Sequence, residues 1–190
     1  MIGDAPLPER EIDATRAAIL TGLLGSFPPG RLIDLATGSG WFAQLAAGMG
    51  WQVTAIDARL RDWPLHPGIT WRQQDVRDAD IAGYDLVLCL GIFYHLPFGA
   101  QMDLFAKCAG VPIILDTHVS LVNETAEGDG YAGRLYGEPP GLLSAFGNPV
   151  SFWPTLESLK RMLKAHGYTT VTPVEPWYHG DDRTFFTCRP

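Results

Sequence analysis

Apolar and polar positions along the chain alternate between short strand-like runs and stretches with helical periodicity. Five short, mainly apolar runs predict strands, at 32–35, 53–56, 69–73, 84–90 and 111–115. The fourth of these runs is apolar almost throughout, which is typical of a central parallel strand covered on both faces. Helical stretches separate several of the runs. This alternation predicts an α/β fold with a doubly wound, mostly parallel sheet.

The C-terminal part predicts one more helix and then a hairpin. Thr155 is a good N-cap residue for the helix, and Gly167 is well placed to end it. Two β-prone runs follow, at 169–174 and 184–188, with a polar turn before the second. They predict an antiparallel hairpin at one edge of the sheet, which brings the expected number of strands to seven.

One long segment, at about 117–152, interrupts the alternation. It is rich in glycine, proline and aromatic residues and has no clear helical or strand period. A loop of this length inside a compact domain is typically a functional lid. We therefore expect a single domain over residues 1–190 with a lid-like insertion at about 117–152.

Composition and charge narrow the classes of function. The apolar fraction of 46% and the charged fraction of 18% are typical of a globular protein. The net charge of -7 argues against a nucleic-acid partner, which requires clustered basic residues. The first ten residues lack the apolar core of a secretory signal, and no apolar run approaches the ~20 residues that span a bilayer. We expect a cytoplasmic protein with a small-molecule partner, and a homodimer remains open.

Glycines stand between the first predicted strand and the helix that begins near Trp41. Gly38 and Gly40 allow a sharp turn and a close approach of a ligand to the backbone. Asp57, at the end of the second strand, is placed to accept hydrogen bonds from the two hydroxyls of a ribose. Asp34 distinguishes between two classes of ligand. Its carboxylate would repel the pyrophosphate of a dinucleotide, whereas it would attract the sulfonium and ammonium groups of S-adenosylmethionine.

The order of these motifs resembles that of the class I S-adenosylmethionine-dependent methyltransferases. The first motif of that family is acid-x-Gly-x-Gly-x-Gly. This chain matches it with Asp34, Ala36, Gly38 and Gly40, so an alanine stands where the motif has its first glycine. The resemblance extends over nearly the whole chain outside 117–152. It implies a Rossmann-like methyltransferase fold, S-adenosylmethionine as cofactor and S-adenosylhomocysteine as product. It also implies cofactor-binding roles for the motif residues and for Asp57, Asp75, Val76, Leu90 and Gly91. Among these, Asp75 matches the acid that in the family often contacts the adenine amino group.

Two histidines are candidates for the chemistry. An acceptor hydroxyl or amine needs a base to take its proton, and His95 and His118 follow the fourth and fifth strands, where open α/β sheets bind their ligands. A histidine in such a turn also occurs without any catalytic role. Residues expected to line the acceptor pocket are Tyr94, Tyr131, Arg134, Tyr136 and Trp153. No cluster of histidine, cysteine or acidic residues has metal-ligand spacing, so no metal site is expected.

The preferred hypothesis is a methyltransferase that methylates oxygen or nitrogen of a small molecule. Two alternatives stay open. A nucleotide-dependent oxidoreductase shares the general fold but is disfavoured by Asp34 and by the terminal hairpin. A non-catalytic module that binds S-adenosylmethionine is consistent with the altered Ala36 and with the few polar residues around the expected acceptor site.

Overall fold

The computed structural model describes residues 7–141 and 144–190, and side chains are described from residue 13 onward. The expectation for the first ten residues therefore lies largely outside the described part. The helices are α1 (Leu7–Leu24), α2 (Trp41–Gly48), α3 (Phe98–Lys107) and α4 (Leu156–Ala165). None of the helices in the described ranges combines the length and apolar character needed to cross a membrane.

Ten strands form two sheets. They are β1 (Arg31–Leu35), β2 (Gln52–Asp57), β3 (Ile69–Gln73), β4 (Leu86–Leu90), β5 (Ile113–His118), β6 (Thr125–Glu127), β7 (Tyr131–Gly137), β8 (Val150–Pro154), β9 (Thr170–Pro173) and β10 (Arg183–Arg189). The large sheet has seven strands in the order β3-β2-β1-β4-β5-β10-β9. Strands β1 to β5 are parallel, and β10 pairs antiparallel with both β5 and β9. The predicted fold class and terminal hairpin are confirmed.

The order of the strands follows from which of them can be buried on both faces. Every residue of β4 is buried, and this strand lies at the centre between β1 and β5. Two apolar clusters cover the two faces of the sheet, as expected for a doubly wound fold. Because parallel strands end at the same edge, the loops that follow β1, β2, β4 and β5 meet there.

Several boundaries differ from the sequence-based prediction. The helical pattern after the fourth strand predicts a helix from Met102, whereas α3 begins at Phe98, directly after the extended Pro97. Strand β5 continues to His118 instead of ending at Leu115, because β10 pairs with it up to the register His118–Arg183. The hydrogen-bonding partner of this extension lies 65 residues away in sequence, so the local pattern could not reveal it.

The segment at 117–152 contains strands, although the sequence pattern showed no period there. Strands β6, β7 and β8 form a separate antiparallel sheet in the order β6-β7-β8. The strands are short and β7 includes a glycine, so the sequence shows no clear alternation of apolar and polar residues. Gly133 is required in β7, because a Cβ at this position would collide with the backbone oxygen of Trp153. The Phe152 amide of β8 donates to the carbonyl of Leu96, in the segment between β4 and α3, at 3.0 Å.

Ala36 follows β1 in a left-handed backbone conformation with φ of 55°. This is the position at which the methyltransferase motif has its first glycine, and a left-handed conformation disfavours any residue with a Cβ. The Thr37 amide next to it donates to the Ile56 carbonyl at 2.8 Å, which holds the turn against β2. The turn therefore keeps the glycine-type geometry while carrying an alanine.

Replacing Ala36 with glycine should stabilise the ligand-free protein. Ala36→Gly removes the left-handed strain, partly offset by a more flexible unfolded chain, so the free energy of unfolding should rise by roughly 0.5–1 kcal/mol. Urea denaturation measures the change. The matched control is Ala47→Gly in α2, which should lower the free energy of unfolding by about 1 kcal/mol. A loss of stability in both variants would contradict the proposed backbone strain at Ala36.

Candidate cofactor and acceptor site

A cleft of about 470 Å³ opens at the carboxyl ends of β1 and β4. Its volume falls within the range typical of small-molecule sites. Its lining includes seven residues predicted from sequence, namely Asp34, Ala36, Gly38, Leu90, Gly91, Tyr94 and His95. Two separate motifs, the glycine turn after β1 and the turn after β4, are thus brought to one cavity.

Asp34 is the buried acid of this cleft, with a relative exposure of 2%. Its carboxylate accepts a hydrogen bond from the Thr37 hydroxyl at 2.5 Å. Burial raises the pKa of Asp34 to about 7, and the Thr37 hydrogen bond and the positive charge of Arg16 only partly oppose this effect. The carboxyl is thereby poised between its neutral and ionised forms at physiological pH.

Asp57 lies at the end of β2 beside the glycine turn, as predicted. One carboxylate oxygen accepts from the Gly38 amide at 3.0 Å, and the other accepts from the Arg59 amide at 2.8 Å. The residue is 5% exposed and fastens the second strand to the turn after the first. Its proposed hydrogen bonds to a ribose remain a prediction.

A second, much smaller cavity of about 50 Å³ adjoins Ala36 and His95 on the other side. It is lined by Asp57, Asp75, Val76, Ile92, Ser144 and Phe146, among others. Asp75 caps the short turn that follows it, and its carboxylate pairs with the Arg77 guanidinium at 2.6 Å. The hydrogen bond from Arg77 holds the pKa of Asp75 below its ordinary value. Asp75, the acid predicted to contact the adenine, therefore lines the small cavity, but its carboxylate is already paired with Arg77.

Backbone carbonyls of the segment before β8 cover this small cavity. The Arg59 guanidinium donates to the carbonyls of Gly141, Ser144 and Ala145 at 3.1–3.2 Å. Arg77 donates to the Phe146 carbonyl at 3.2 Å. We call the described residues 144–146 the strap. The two arginines that follow the predicted ribose and adenine acids therefore hold the strap over the space between those acids.

His95 is held by a buried glutamate that the sequence pattern did not single out. The His95 Nδ1 atom lies 3.0 Å from both carboxylate oxygens of Glu138, whose side chain is 2% exposed. The same carboxylate accepts from the Ser151 hydroxyl at 2.6 Å and from the Ala145 amide at 3.1 Å. Because this carboxylate already accepts from two other donors, we assign the proton of the contact to His95 Nδ1, which leaves Nε2 without a proton.

Four of the five predicted pocket residues join His118 in one aromatic cluster. Trp153 stacks on His118 with ring centroids 4.7 Å apart and on Tyr136 at 4.9 Å. Tyr94 contacts Trp153 edge-on at 5.5 Å, and the Arg134 guanidinium lies 4.3 Å from the Trp153 ring. Among the described residues, no hydrogen-bond partner is found for the buried Nε atom of Arg134 or for Nε1 of Trp153. Two buried donors of the cluster are therefore unsatisfied within the described part of the chain.

Tyr131, the fifth predicted pocket residue, lies elsewhere. It is 8% exposed and belongs to the apolar core, where its ring lies 5.5 Å from Phe98 and the Arg161 guanidinium lies 4.7 Å from it. None of Tyr131, Arg134, Tyr136 and Trp153 lines either cavity, but Tyr131 is also absent from the aromatic cluster around His118. The side chains of a strand alternate between its faces, so Tyr131 and Tyr136, five positions apart, point to opposite sides of β7. We leave Tyr131 out of the acceptor pocket.

Sequence reasoning also missed a charged cluster beneath the cleft. Asp116, fully buried at the end of β5, accepts hydrogen bonds from Arg16 at 2.9 Å, Arg183 at 2.8 Å and the Tyr178 hydroxyl at 2.6 Å. Arg16 and Arg183 also line the cavity near Gly91. An acid directly after an apolar strand could have drawn attention to Asp116, but nothing local connects it to arginines 100 and 67 positions away.

Comparison with known proteins agrees with this geometry. Residues 9–172 match the sequence profile of a methyltransferase domain. The chain is 29% identical over 101 residues to a ubiquinone biosynthesis O-methyltransferase of Alkalilimnicola ehrlichii, an alignment that covers 47% of this chain. The chain spans about 41% of the length of that relative.

Solved structures with the same fold include two that contain S-adenosylhomocysteine. The N-terminal domain of EvdMO1, in the presence of S-adenosylhomocysteine and D-fucose, has a TM-score of 0.74 and 18% identity, covering 93% of this chain and 81% of the other. The 1,6-didemethyltoxoflavin-N1-methyltransferase of Burkholderia thailandensis has a TM-score of 0.68 and 20% identity, covering 94% and 77%. At 18–20% identity, the similarity to these two structures is a similarity of fold.

The profile match covers most of the chain, so the chain belongs to the methyltransferase-domain family. The resemblance to the class I S-adenosylmethionine-dependent methyltransferases is confirmed, and with it the expected cofactor class. The alternative of a nucleotide-dependent oxidoreductase is set aside by this membership.

Asp34 should couple cofactor binding to pH. The pKa of Asp34 is raised to about 7, so its carboxyl is neutral below that pH, whereas the sulfonium and ammonium groups of S-adenosylmethionine favour the ionised form. The affinity should therefore fall as the pH drops below 7, by up to about tenfold per pH unit. Titration calorimetry in two buffers of different ionisation enthalpy should also detect proton release near pH 7.

The matched variant is Asp34→Asn, which keeps an oxygen that can accept from Thr37 but cannot ionise. It should bind S-adenosylmethionine more weakly at pH 7, with little proton release and a flatter pH dependence. A variant with the same proton release as the wild-type protein would show that the coupling belongs to another group.

Proposed function

We propose that this protein transfers a methyl group from S-adenosylmethionine to an oxygen or nitrogen of a small acceptor, with His95 as the base. The observation that carries the proposal is the pair His95–Glu138, which stands between the two cavities that flank the glycine turn. A methyl transfer from a sulfonium needs an aligned acceptor, exclusion of water and, for a hydroxyl or amine, removal of one proton.

The cofactor fits the electrostatics of the large cleft. Asp34 offers a carboxylate to the sulfonium and ammonium groups, and Arg16 and Arg183 offer positive charge near Gly91 to the carboxylate of the methionine part. Asp57 and Asp75 border the small cavity, on the side where the resemblance predicts the ribose and the adenine. The two cavities share Ala36 and His95, so one elongated ligand can occupy both.

The base role of His95 follows from the hydrogen bonds of its partner. Glu138 accepts from Nδ1 and leaves Nε2 available to take a proton from an acceptor in the cleft. Glu138 acts through His95, so it is a positioning residue, and the Ser151 hydroxyl and the Ala145 amide hold its carboxylate in place. This arrangement follows the logic by which a buried carboxylate fixes the tautomer of a catalytic histidine.

The aromatic cluster is the proposed acceptor pocket. Trp153 and Tyr94 supply flat apolar surfaces, and the unpartnered Nε atoms of Trp153 and Arg134 supply hydrogen-bond donors. This combination favours a planar or ring-shaped acceptor that carries oxygen or nitrogen acceptor atoms. The related structures were solved with D-fucose and with 1,6-didemethyltoxoflavin, which are ring compounds of this general kind.

The strap is the proposed lid. The cavity beneath it is small, about 50 Å³. We therefore expect the strap to move when the cofactor enters. The Ala145 amide bonds to Glu138, so closure of the strap over the nucleoside would also complete the support of His95.

Turnover should depend on His95 and Glu138 while cofactor binding does not. In an assay of S-adenosylhomocysteine formation with a panel of phenols, sugars and heterocyclic amines, His95→Ala should lower kcat by roughly 100-fold or more. Glu138→Gln should lower kcat by about 10- to 100-fold and leave the KM for S-adenosylmethionine nearly unchanged, because the imidazole loses the carboxylate that orients it. The control is His66→Ala, a loop histidine outside the site.

Three outcomes of this assay separate the hypotheses. Retained kcat in His95→Ala would remove His95 as the base while leaving a methyltransferase. A KM for S-adenosylmethionine that changes as much as kcat in Glu138→Gln would reduce Glu138 to a structural residue. Tight binding of S-adenosylmethionine with no product from any acceptor, under conditions where the fold is intact, would favour the non-catalytic module.

Loosening the strap should speed the entry of the cofactor. Arg59→Ala removes three hydrogen bonds to the carbonyls of Gly141, Ser144 and Ala145, so the strap should open more often and S-adenosylhomocysteine should associate severalfold faster in stopped-flow fluorescence. Amide hydrogen exchange at 144–146 should rise in the same variant. Arg72→Ala, on the exposed face of β3, is the control. Equal association rates and equal exchange would end the lid hypothesis.

A further inference from the structure

Three potential metal ligands meet at the carboxyl edge of the large sheet, although their sequence spacing suggested no metal site. They are His118 at the end of β5 and His179 and Asp182 before β10, and one ligand atom from each lies within 4.8 Å of the others. The His118 Nδ1 atom is 3.2 Å from one Asp182 oxygen, and the His179 Nδ1 atom is 3.7 Å from the other. The two imidazole rings are edge-to-face, with centroids 5.6 Å apart.

The backbone fixes this triad before any ligand binds. Arg183 pairs with His118 in the β5–β10 ladder, which places Asp182 next to the end of β5. The Val119 amide donates to the Asp182 carbonyl at 2.7 Å, and His179 forms an antiparallel bridge with Arg183. The hairpin that carries two of the ligands is therefore tied to the strand that carries the third, so little ordering is needed for all three to act together.

His118 offers an unused nitrogen. Its Nδ1 atom is buried and has no hydrogen-bond partner among the described residues, because the approach of Asp182 lacks hydrogen-bond geometry. Arg183, which pairs with His118 in the β5–β10 ladder, brings a positive charge to this edge of the sheet. The charge of Arg183 is itself matched by Asp116, at 2.8 Å, so it opposes a bound cation less than a free guanidinium would.

We propose that His118, His179 and Asp182 bind a divalent first-row transition ion such as Zn²⁺, Co²⁺ or Ni²⁺. Two imidazole nitrogens and one carboxylate suit these ions, whereas Mg²⁺ and Ca²⁺ prefer all-oxygen sites. Three protein ligands leave open positions for water or another ligand.

The position of the triad connects it to the acceptor pocket. The His118 ring stacks on Trp153 at 4.7 Å and meets Tyr94 edge-on at 4.8 Å. An oxygen atom of the acceptor can therefore occupy an open position of the ion and be oriented by it. This second step rests on the proposed function, whereas binding of the ion does not.

The test uses the whole protein, stripped of metal with a chelator and without any cofactor. Co²⁺ is titrated while its visible absorption is recorded, and Zn²⁺ is then added as a competitor. We expect one equivalent of Co²⁺ with bands typical of nitrogen ligation, displacement by Zn²⁺, and no displacement by Mg²⁺. His179→Ala and Asp182→Asn affect partly exposed side chains, so both variants should fold, as circular dichroism will verify.

Each of the two variants should weaken Co²⁺ binding by roughly 100-fold, since the loss of even an outer-shell partner costs 10- to 100-fold. The control His66→Ala should bind as the wild-type protein does. Affinity that is equal in all four proteins, or bands without nitrogen ligation, would overturn the site. Metal binding is read without turnover, so a failed methyltransferase assay leaves this result unaffected, and a failed titration leaves the base role of His95 unaffected.

Discussion

The buried carboxylate of Asp116 is the constraint on which the functional edge of the sheet depends. Its side chain is fully buried, and an isolated charge in such a position would be strongly unfavourable. Burial raises the pKa of Asp116, but Arg183 and Arg16 outweigh this effect and hold the pKa below its ordinary value. The ion pairs and the Tyr178 hydroxyl satisfy the carboxylate and at the same time tie α1, β5, β10 and the loop after β9 to one point.

Several features of the site follow from this arrangement. Arg16 and Arg183 are placed beside Gly91, where a side chain at the glycine position would meet both guanidinium groups at 3.3–3.5 Å. The pairing of β10 with β5 brings the hairpin of Asp182 next to His118. Two acids at the same sheet edge also acquire opposite character: Asp34, with one hydroxyl partner, has a raised pKa, whereas Asp116, between two arginines, has a lowered one. Their surroundings assign these roles, since both residues are aspartates.

The residues around the proposed cofactor cleft could be recognised from local sequence. The glycine turn, Asp34 and Asp57 lie at or near the ends of short apolar strands, and parallel strands necessarily bring their carboxyl ends together. The residues around the proposed acceptor pocket are harder to recognise in this way. Tyr136, Arg134 and Trp153 do gather near Tyr94, but Tyr131 points into the core, and Glu138 was overlooked because no local pattern marks a glutamate that reaches a histidine 43 positions away.

The amino-acid sequence by itself determined the strand–helix alternation, the parallel sheet, the glycine-type turn and the family, because these depend on periodicity and on residues close together along the chain. Only the tertiary structure decided which distant side chains meet. The small sheet, the support of His95 by Glu138, the two arginines around Asp116 and the triad of His118, His179 and Asp182 all depend on pairings between remote segments. Such pairings are set by the packing and hydrogen bonding of the whole fold, and short-range patterns carry no information about them.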